Sequence, residues 1–377
     1  MDRMGKRTLA VLLAVLVIAA GAGYWWWGSR DHQGDNIEVP ETNGSRIITD
    51  TAGRQVKIPR KVERIACLYA FTGHVAVMLG EGDKIVAVPG GLKRDVLLNE
   101  ICPTIRTASV PVLSGSINIE ELLRVKPDLV FINKETAINT DEVAKLDRFG
   151  LPYLVTDFQS MAEQRSAVRI VGQALGAKAE ERAKRYDTYY LECINRVSGG
   201  VKNIPAGERV RVYHSVNEAT RTDPPISLPA DWMKTAGIIN VSADQPLRLV
   251  EGKNYASLEQ ILLWDPEVIL VNEPGVADYI LTNSQWSALK AVKNDKVYQM
   301  PVGISRWGHP GGMETPLALL WTARLLYPDQ FGDIDMKTEA RNFYREFFGY
   351  QVDEVTLDRI LAGQGMRLTR EQGGETR

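Results

Sequence analysis

Apolar and polar positions follow one pattern that occurs twice in the chain. Its first copy is Ser116 to Asn133, SINIEELLRVKPDLVFIN, and its second is Tyr255 to Asn272, YASLEQILLWDPEVILVN. Placing Pro127 on Pro266, an offset of 139 residues, aligns Glu120 with Glu259, Leu123 with Leu262 and Asn133 with Asn272. Each copy predicts a short amphipathic helix with a glutamate near its start. The helix stops before proline, which disfavours the helical conformation of the residue it follows. An unbroken apolar run comes next, Leu129 to Ile132 and Val268 to Val271. Such a run predicts a strand of a parallel sheet covered by helices on both faces. The offset is far longer than a solenoid repeat. It implies two similar α/β lobes, each with a ligand-facing loop at the carboxyl end of its strand.

The remaining pattern fits that plan. Arg46 to Asp50 and Gln55 to Ile58 read as a hairpin around a Gly-containing turn, Thr51 to Arg54, with Pro59 ending it. Arg64 to Leu68, Lys84 to Val88, a brief Val112-Leu113, the first repeat copy and Tyr153 to Val155 read as strands. They alternate with helical segments, as in a parallel sheet. From Met161 to Val197, apolar residues recur at spacings of three and four, which predicts one long or slightly broken helix. The second lobe has strands at Arg209 to His214, at its repeat copy and at Lys296 to Pro301. A loop rich in Gly and Pro, Val302 to Gly312, and an apolar helix from Pro316 to Tyr327 come next. The expected divisions are a first lobe at 46–160, a connecting helix at 161–199, a second lobe at 207–366 and a disordered tail at 367–377.

Composition narrows the setting. Hydrophobic residues at 44% and charged residues at 24% are those of a soluble globular protein. A net charge of −2, without a run of Lys and Arg, argues against a nucleic-acid partner. Cys67, Cys102 and Cys193 lack metal-ligand spacing. Buried free thiols are favoured over a Cys67–Cys102 bridge. At the amino terminus, Arg3, Lys6 and Arg7 precede an apolar run from Leu9 to Ala22, so residues 1–28 read as an export signal. Ala20-Gly21-Ala22 suits cleavage, whereas Tyr24-Trp25-Trp26-Trp27 suits an uncleaved membrane anchor, the reading slightly preferred. Cys67 is the first cysteine, which excludes a lipid anchor after the apolar run. Residues 29–45 read as a polar linker, and the lobes are expected outside the cytoplasm.

IITDTAGRQVKIPRKVERIACL followed by a helix resembles the opening of the iron-complex and cobalamin periplasmic-binding family, the substrate-binding proteins of ABC importers. INIEELLRVKPDLVFIN is similar to that family's mid-lobe signature. The resemblance runs from about Arg46 to about Leu361. It implies two Rossmann-like lobes with parallel sheets, joined by a single long, rigid α-helix. It also implies a monomer, without a cofactor of its own, that captures a metal chelate such as a ferric siderophore, haem or corrinoid. The cargo then passes to a dimeric membrane permease. The family's docking role falls on Glu120 and Glu259, one on each lobe, with Glu121 able to substitute. Taken alone, each glutamate merely complements a helix dipole.

The candidate site is the cleft between the lobes. Tyr69, Phe71, Thr72, Lys93 and Arg94 are expected to line it from the first lobe, and Tyr213, His214, Arg306, Trp307 and His309 from the second. His74, Ser114 and Lys134 of the first lobe and Asn217, Arg221, Asn272 and Glu273 of the second are expected to line it as well. Aromatic rings supply apolar area and arginine supplies forked donors to anionic groups. Trp307 is expected to face the ligand, because its loop is rich in Gly and Pro. Direct iron ligation by His74, His214 or His309, with Tyr69 or Tyr213, is disfavoured, and no cage for a bare metal is visible. An oxyanion such as molybdate or tungstate is the alternative cargo, with Arg306 and Lys93 dominant. A membrane-anchored enzyme on an α/β scaffold is the alternative class, although nucleotide-binding, zinc-protease and serine-hydrolase motifs are all absent.

Overall fold

The computed structural model describes residues 44–369 and 372, apart from Ser114. The expected signal or anchor therefore lies outside the described residues. Among these residues no helix is long and apolar enough to cross a membrane. The described residues from Ser45 to Thr369 form one compact unit.

β1 (Ser45–Thr49) and β2 (Gln55–Pro59) make the expected antiparallel hairpin. The buried Asp50 caps its turn, accepting the backbone N–H groups of Ala52 and Arg54, both at 3.0 Å. β3 (Ile65–Cys67), β4 (Ile85–Ala87), β7 (Leu129–Ile132) and β8 (Tyr153–Val155) form the first lobe's parallel sheet, in the order β4-β3-β7-β8. Val112-Leu113, expected as a strand of this sheet, is instead β5, which pairs antiparallel with β6 (Ser116–Ile117). Leu113 is exposed there, and a parallel sheet covered by helices offers no such place. The second lobe repeats the plan. β9 (Arg211–Ser215), β11 (Ile239–Asn240), β14 (Val268–Val271) and β15 (Val297–Gln299) form a parallel sheet in the order β11-β9-β14-β15. β10 (Arg221–Thr222), β12 (Arg248–Val250) and β13 (Lys253–Tyr255) make a small antiparallel sheet.

The sequence repeat is a structural repeat. A short hairpin, β5–β6 or β12–β13, leads in each lobe into the glutamate-bearing helix, Ile119–Arg124 or Leu258–Trp264. Asn118 caps the first of these helices and Ser257 caps the second, the latter in a capping box with Gln260. The strands that follow, β7 and β14, are buried along their whole length, as the unbroken apolar runs require.

The connector is sharper than a slightly broken helix. Met161–Leu175 and Ala177–Val201 are two helices that fold back on each other. Gly176 between them has φ 118°, a conformation that side chains disfavour. Tyr190 donates its hydroxyl to Gln164 at 2.7 Å, and Asp187 accepts from Arg165 at 2.7 Å and from Arg169 at 2.9 Å. A Cβ on Gly172 would lie 2.7 Å from that of Ala183, so this glycine sets the closest approach of the two helices. Gly172→Ala should therefore destabilise the protein by about 1–3 kcal/mol, the usual cost of overpacking. Urea unfolding checks this: the midpoint should fall while the slope stays constant.

The carboxyl terminus also departs from expectation. Arg367 and Leu368, assigned to a disordered tail, are ordered against the first lobe. Val96 donates its N–H to the Met366 carbonyl at 3.0 Å, and Leu368 donates to that of Arg94 at 2.9 Å. Met366 is buried, and this apolar anchor holds the segment down.

Candidate functional site

The loop after β15 is shaped by one buried carboxylate. Glu314 is fully buried and accepts four hydrogen bonds: Ile304 N–H at 2.9 Å, Ser305 N–H at 2.5 Å, Ser305 Oγ at 2.8 Å and Tyr344 Oη at 2.6 Å. Burial pushes its pKa up, against the pull of these donors. Trp307 closes the loop by donating its backbone N–H to the Pro301 carbonyl at 3.0 Å. Gly308, at φ 71°, then turns the chain. This corrects the expectation for Trp307. Its indole is fully buried in the core, because the loop wraps around Glu314 and turns that side chain inward.

Arg306, its neighbour, points the other way. Its guanidinium reaches Glu273 and Asn217 across the second lobe's strand-end loops. Its Nη2 stands 2.8 Å from His309 Nε2. His309 Nδ1 accepts the Gly311 N–H at 3.0 Å. Burial holds the His309 pKa well below the ordinary histidine value, and the charges of Arg306, Arg367 and Arg221 push it the same way. A neutral imidazole has one acceptor nitrogen and one N–H. The Gly311 N–H faces Nδ1 and an Arg306 N–H faces Nε2, so the ring accepts from only one of these two donors and the other has no acceptor there. Burial and the nearby Arg367 also lower the Arg306 pKa to about 10, although Glu273 opposes the shift.

The first lobe contributes Arg94, which donates to Glu273 Oε1 at 3.3 Å and so joins the two lobes. Asp95, the next residue, is buried and bonds His74 Nε2 at 2.9 Å and the Arg367 guanidinium. Tyr69 is half-buried at the end of β3, and its hydroxyl would lie 3.6 Å from a Cβ on Gly311. Burial, with Asp157 adding to it, raises its pKa, so it remains a protonated hydroxyl.

The structure sorts the expected site residues. Arg94, Arg306 and His309 come together, with Tyr69 nearby. Lys93 is half-buried one residue before Arg94, in the short helix Gly90–Lys93. Phe71 is fully buried, with its ring centroid 4.5 Å from that of Phe158. Thr72 is also buried and turns its hydroxyl back to the Tyr69 carbonyl at 2.7 Å. Tyr213 is buried in the second lobe's core and donates to the Ala219 carbonyl at 3.0 Å. These three, like Trp307, pack at strand ends instead of lining the cleft. His214 is buried too, with Nδ1 2.6 Å from Asp223 Oδ2 and Nε2 without a partner. Asp95, Asp223, Glu314 and Arg367 were not singled out by sequence. Isolated charged residues carry no motif, and only the folded chain brings them together.

Among the described residues, no group of His, Cys, Asp and Glu is arranged to hold a metal ion. All three cysteines are free and buried, and burial pushes the Cys67 thiol up to about 12. A cavity of about 650 Å³ opens elsewhere, lined by residues such as Thr51, Lys134, Tyr153, Asp157 and Ile170. Its walls come from the first lobe and the connector alone, and it lacks the arginine cluster.

The state of His309 has a measurable consequence. As pH falls through about 6.5, the unfolded chain takes up a proton that the folded chain refuses, so folding stability is lost on the acid side. Relative to His309→Gln, the wild type should lose about 1.4 kcal/mol between about pH 7.5 and about pH 5.5. Paired thermal melts at the two pH values check this.

The chain resembles the molybdate-binding protein MolA of Haemophilus influenzae, at 27% identity over 328 residues, which cover 80% of this chain and 91% of that protein. It resembles the vitamin B12-binding protein of Vibrio cholerae at 25% identity, covering 64% of this chain and 82% of that protein. The solved structure of MolA bound to molybdate superposes with a TM-score of 0.73 at 25% identity, covering 82% of this chain and 99% of that one. A periplasmic solute-binding protein from Veillonella parvula shares the fold, with a TM-score of 0.72 at 22% identity, over 88% of this chain and 98% of that one. The family described as periplasmic binding protein matches residues 65–302, and the chain belongs to that family.

Proposed function

We propose that this protein captures an oxyanion of the molybdate or tungstate class between its lobes and delivers it to the permease of an ABC importer. One observation carries the reading. His309 faces two N–H donors, Gly311 at 3.0 Å and Arg306 at 2.8 Å, with one acceptor nitrogen for both, and an anionic oxygen beside them would take the donor left over. Arg94 adds a further guanidinium. The metal chelate favoured by the sequence needs apolar walls, yet Phe71, Tyr213 and Trp307 are buried in the cores. The likeness to a molybdate-binding protein supports the same choice. Tryptophan fluorescence or calorimetric titration with molybdate, tungstate, sulfate, haem, cobalamin and a ferric siderophore tests it. Saturable molybdate or tungstate binding is expected, and Arg306→Gln should weaken it about 10- to 100-fold. Binding of a chelate but of neither oxyanion would sink the reading.

Docking is assigned to Glu120 and Glu259. Both are exposed in the first turns of the two repeat helices, where one acidic group per lobe suits a dimeric partner with basic pockets. Glu121 does not substitute, since its carboxylate takes the Ser109 hydroxyl at 2.6 Å and the Val110 N–H at 3.3 Å. The double variant Glu120→Ala, Glu259→Ala should leave ligand affinity unchanged and slow uptake in reconstituted vesicles roughly 10-fold. Unchanged uptake would remove the docking role.

A further inference from the structure

We propose that Arg367, carried by a carboxyl-terminal strap, contacts the ligand directly and completes the anion site. The proposal rests on the oxyanion reading and extends it to a residue at the far end of the chain.

The strap begins where the last helix, Glu354–Ala362, ends at Gly363 with φ 65°. Arg359 holds the following turn by donating to the Gly365 carbonyl at 2.7 Å. The chain then leaves the second lobe and lies antiparallel against the first. Asp95 faces Arg367 in an isolated bridge, and the Val96–Met366 and Leu368–Arg94 backbone hydrogen bonds flank it. Arg94, a site residue, also donates its Nε to the Leu368 carbonyl at 2.8 Å. The segment is therefore tied directly to a residue of the candidate site.

The Arg367 side chain is 10% exposed. Its Nη1 serves Asp95 and reaches the Gly91 carbonyl at 3.4 Å. Its Nε is buried without any partner. A buried guanidinium N–H is rarely left unsatisfied. Arg94 ties the strap to the Arg306 and His309 side, since its guanidinium bonds both the Leu368 carbonyl and Glu273, the carboxylate that Arg306 also reaches. Three guanidinium groups, Arg94, Arg306 and Arg367, thus face two carboxylates, Glu273 and Asp95, and Asp95 is also shared with His74. The cluster thus carries a positive excess, an orphan N–H on Arg367 and one N–H donor at His309 without an acceptor. One bound oxyanion would answer all three.

Molybdate titration of the full chain tests this with two variants. Arg367→Gln removes the charge and the fork, and should weaken molybdate binding about 10- to 100-fold. Arg367→Lys keeps a cation for Asp95, so the strap stays in place, but it loses the Nε donor. It should still weaken binding, roughly 10-fold, with its melting temperature close to that of the wild type. If Arg367 merely tied the strap down, the lysine variant would bind as tightly as the wild type, and that result overturns the proposal even if the glutamine variant fails to fold. A wild type that binds neither molybdate nor tungstate overturns the oxyanion reading and this proposal together. Wild-type binding with an unaffected lysine variant removes only the role of Arg367.

Discussion

A buried carboxylate with four donors, Glu314, is the interaction on which the site depends. A charge so enclosed is tolerated only when its lone pairs are filled, and here the backbone of Ile304 and Ser305 must supply two of the bonds. That requirement folds the loop after β15 tightly. Consecutive residues then face opposite ways: Trp307 enters the core and Arg306 reaches Glu273. The core and the site are thus two sides of one turn. Tyr344, from the helix Met336–Phe348, supplies another bond, so the closing helices of the second lobe brace the loop from behind.

The electrostatics of the cleft follow from that placement. Arg306 and His309 are crowded together by the loop, and Glu273 relieves only part of the positive charge. Arg94 reaches the same glutamate from the first lobe. A preformed cluster of donors needs little rearrangement to accept an anion. The connector suits this, since two helices held by Gln164–Tyr190 and Asp187 bonds form a stiffer joint than extended strands. As a substrate-binding protein of an ABC importer, the chain carries its ligand as cargo and performs no covalent chemistry.

Two lobes on one plan also explain the matched glutamates. Each lies in the first turn of a capped helix that a short hairpin precedes and a fully buried strand follows. Their exposure has no packing purpose within the lobes. Glu121, by contrast, is spent on Ser109 and Val110 and holds the first lobe's loop.

Local patterning alone determined the two α/β lobes, the buried strands Leu129–Ile132 and Val268–Val271, the repeat helices and the opening hairpin. Period and chain-breaking residues are properties of near neighbours, so they are legible without the fold. Arg94, Arg306 and His309 were legible as strand-end polar residues for the same reason. Tertiary structure alone decided the rest. Whether a loop tryptophan faces ligand or core depends on Glu314, seven residues away in sequence from Trp307 and fully buried. The fold-back at Gly176 depends on the close fit of Gly172 against Ala183. Arg367 shows no local signal, because its partner Asp95 lies 272 residues earlier. Contacts of that span depend on the closing of the whole chain, and no local pattern records them.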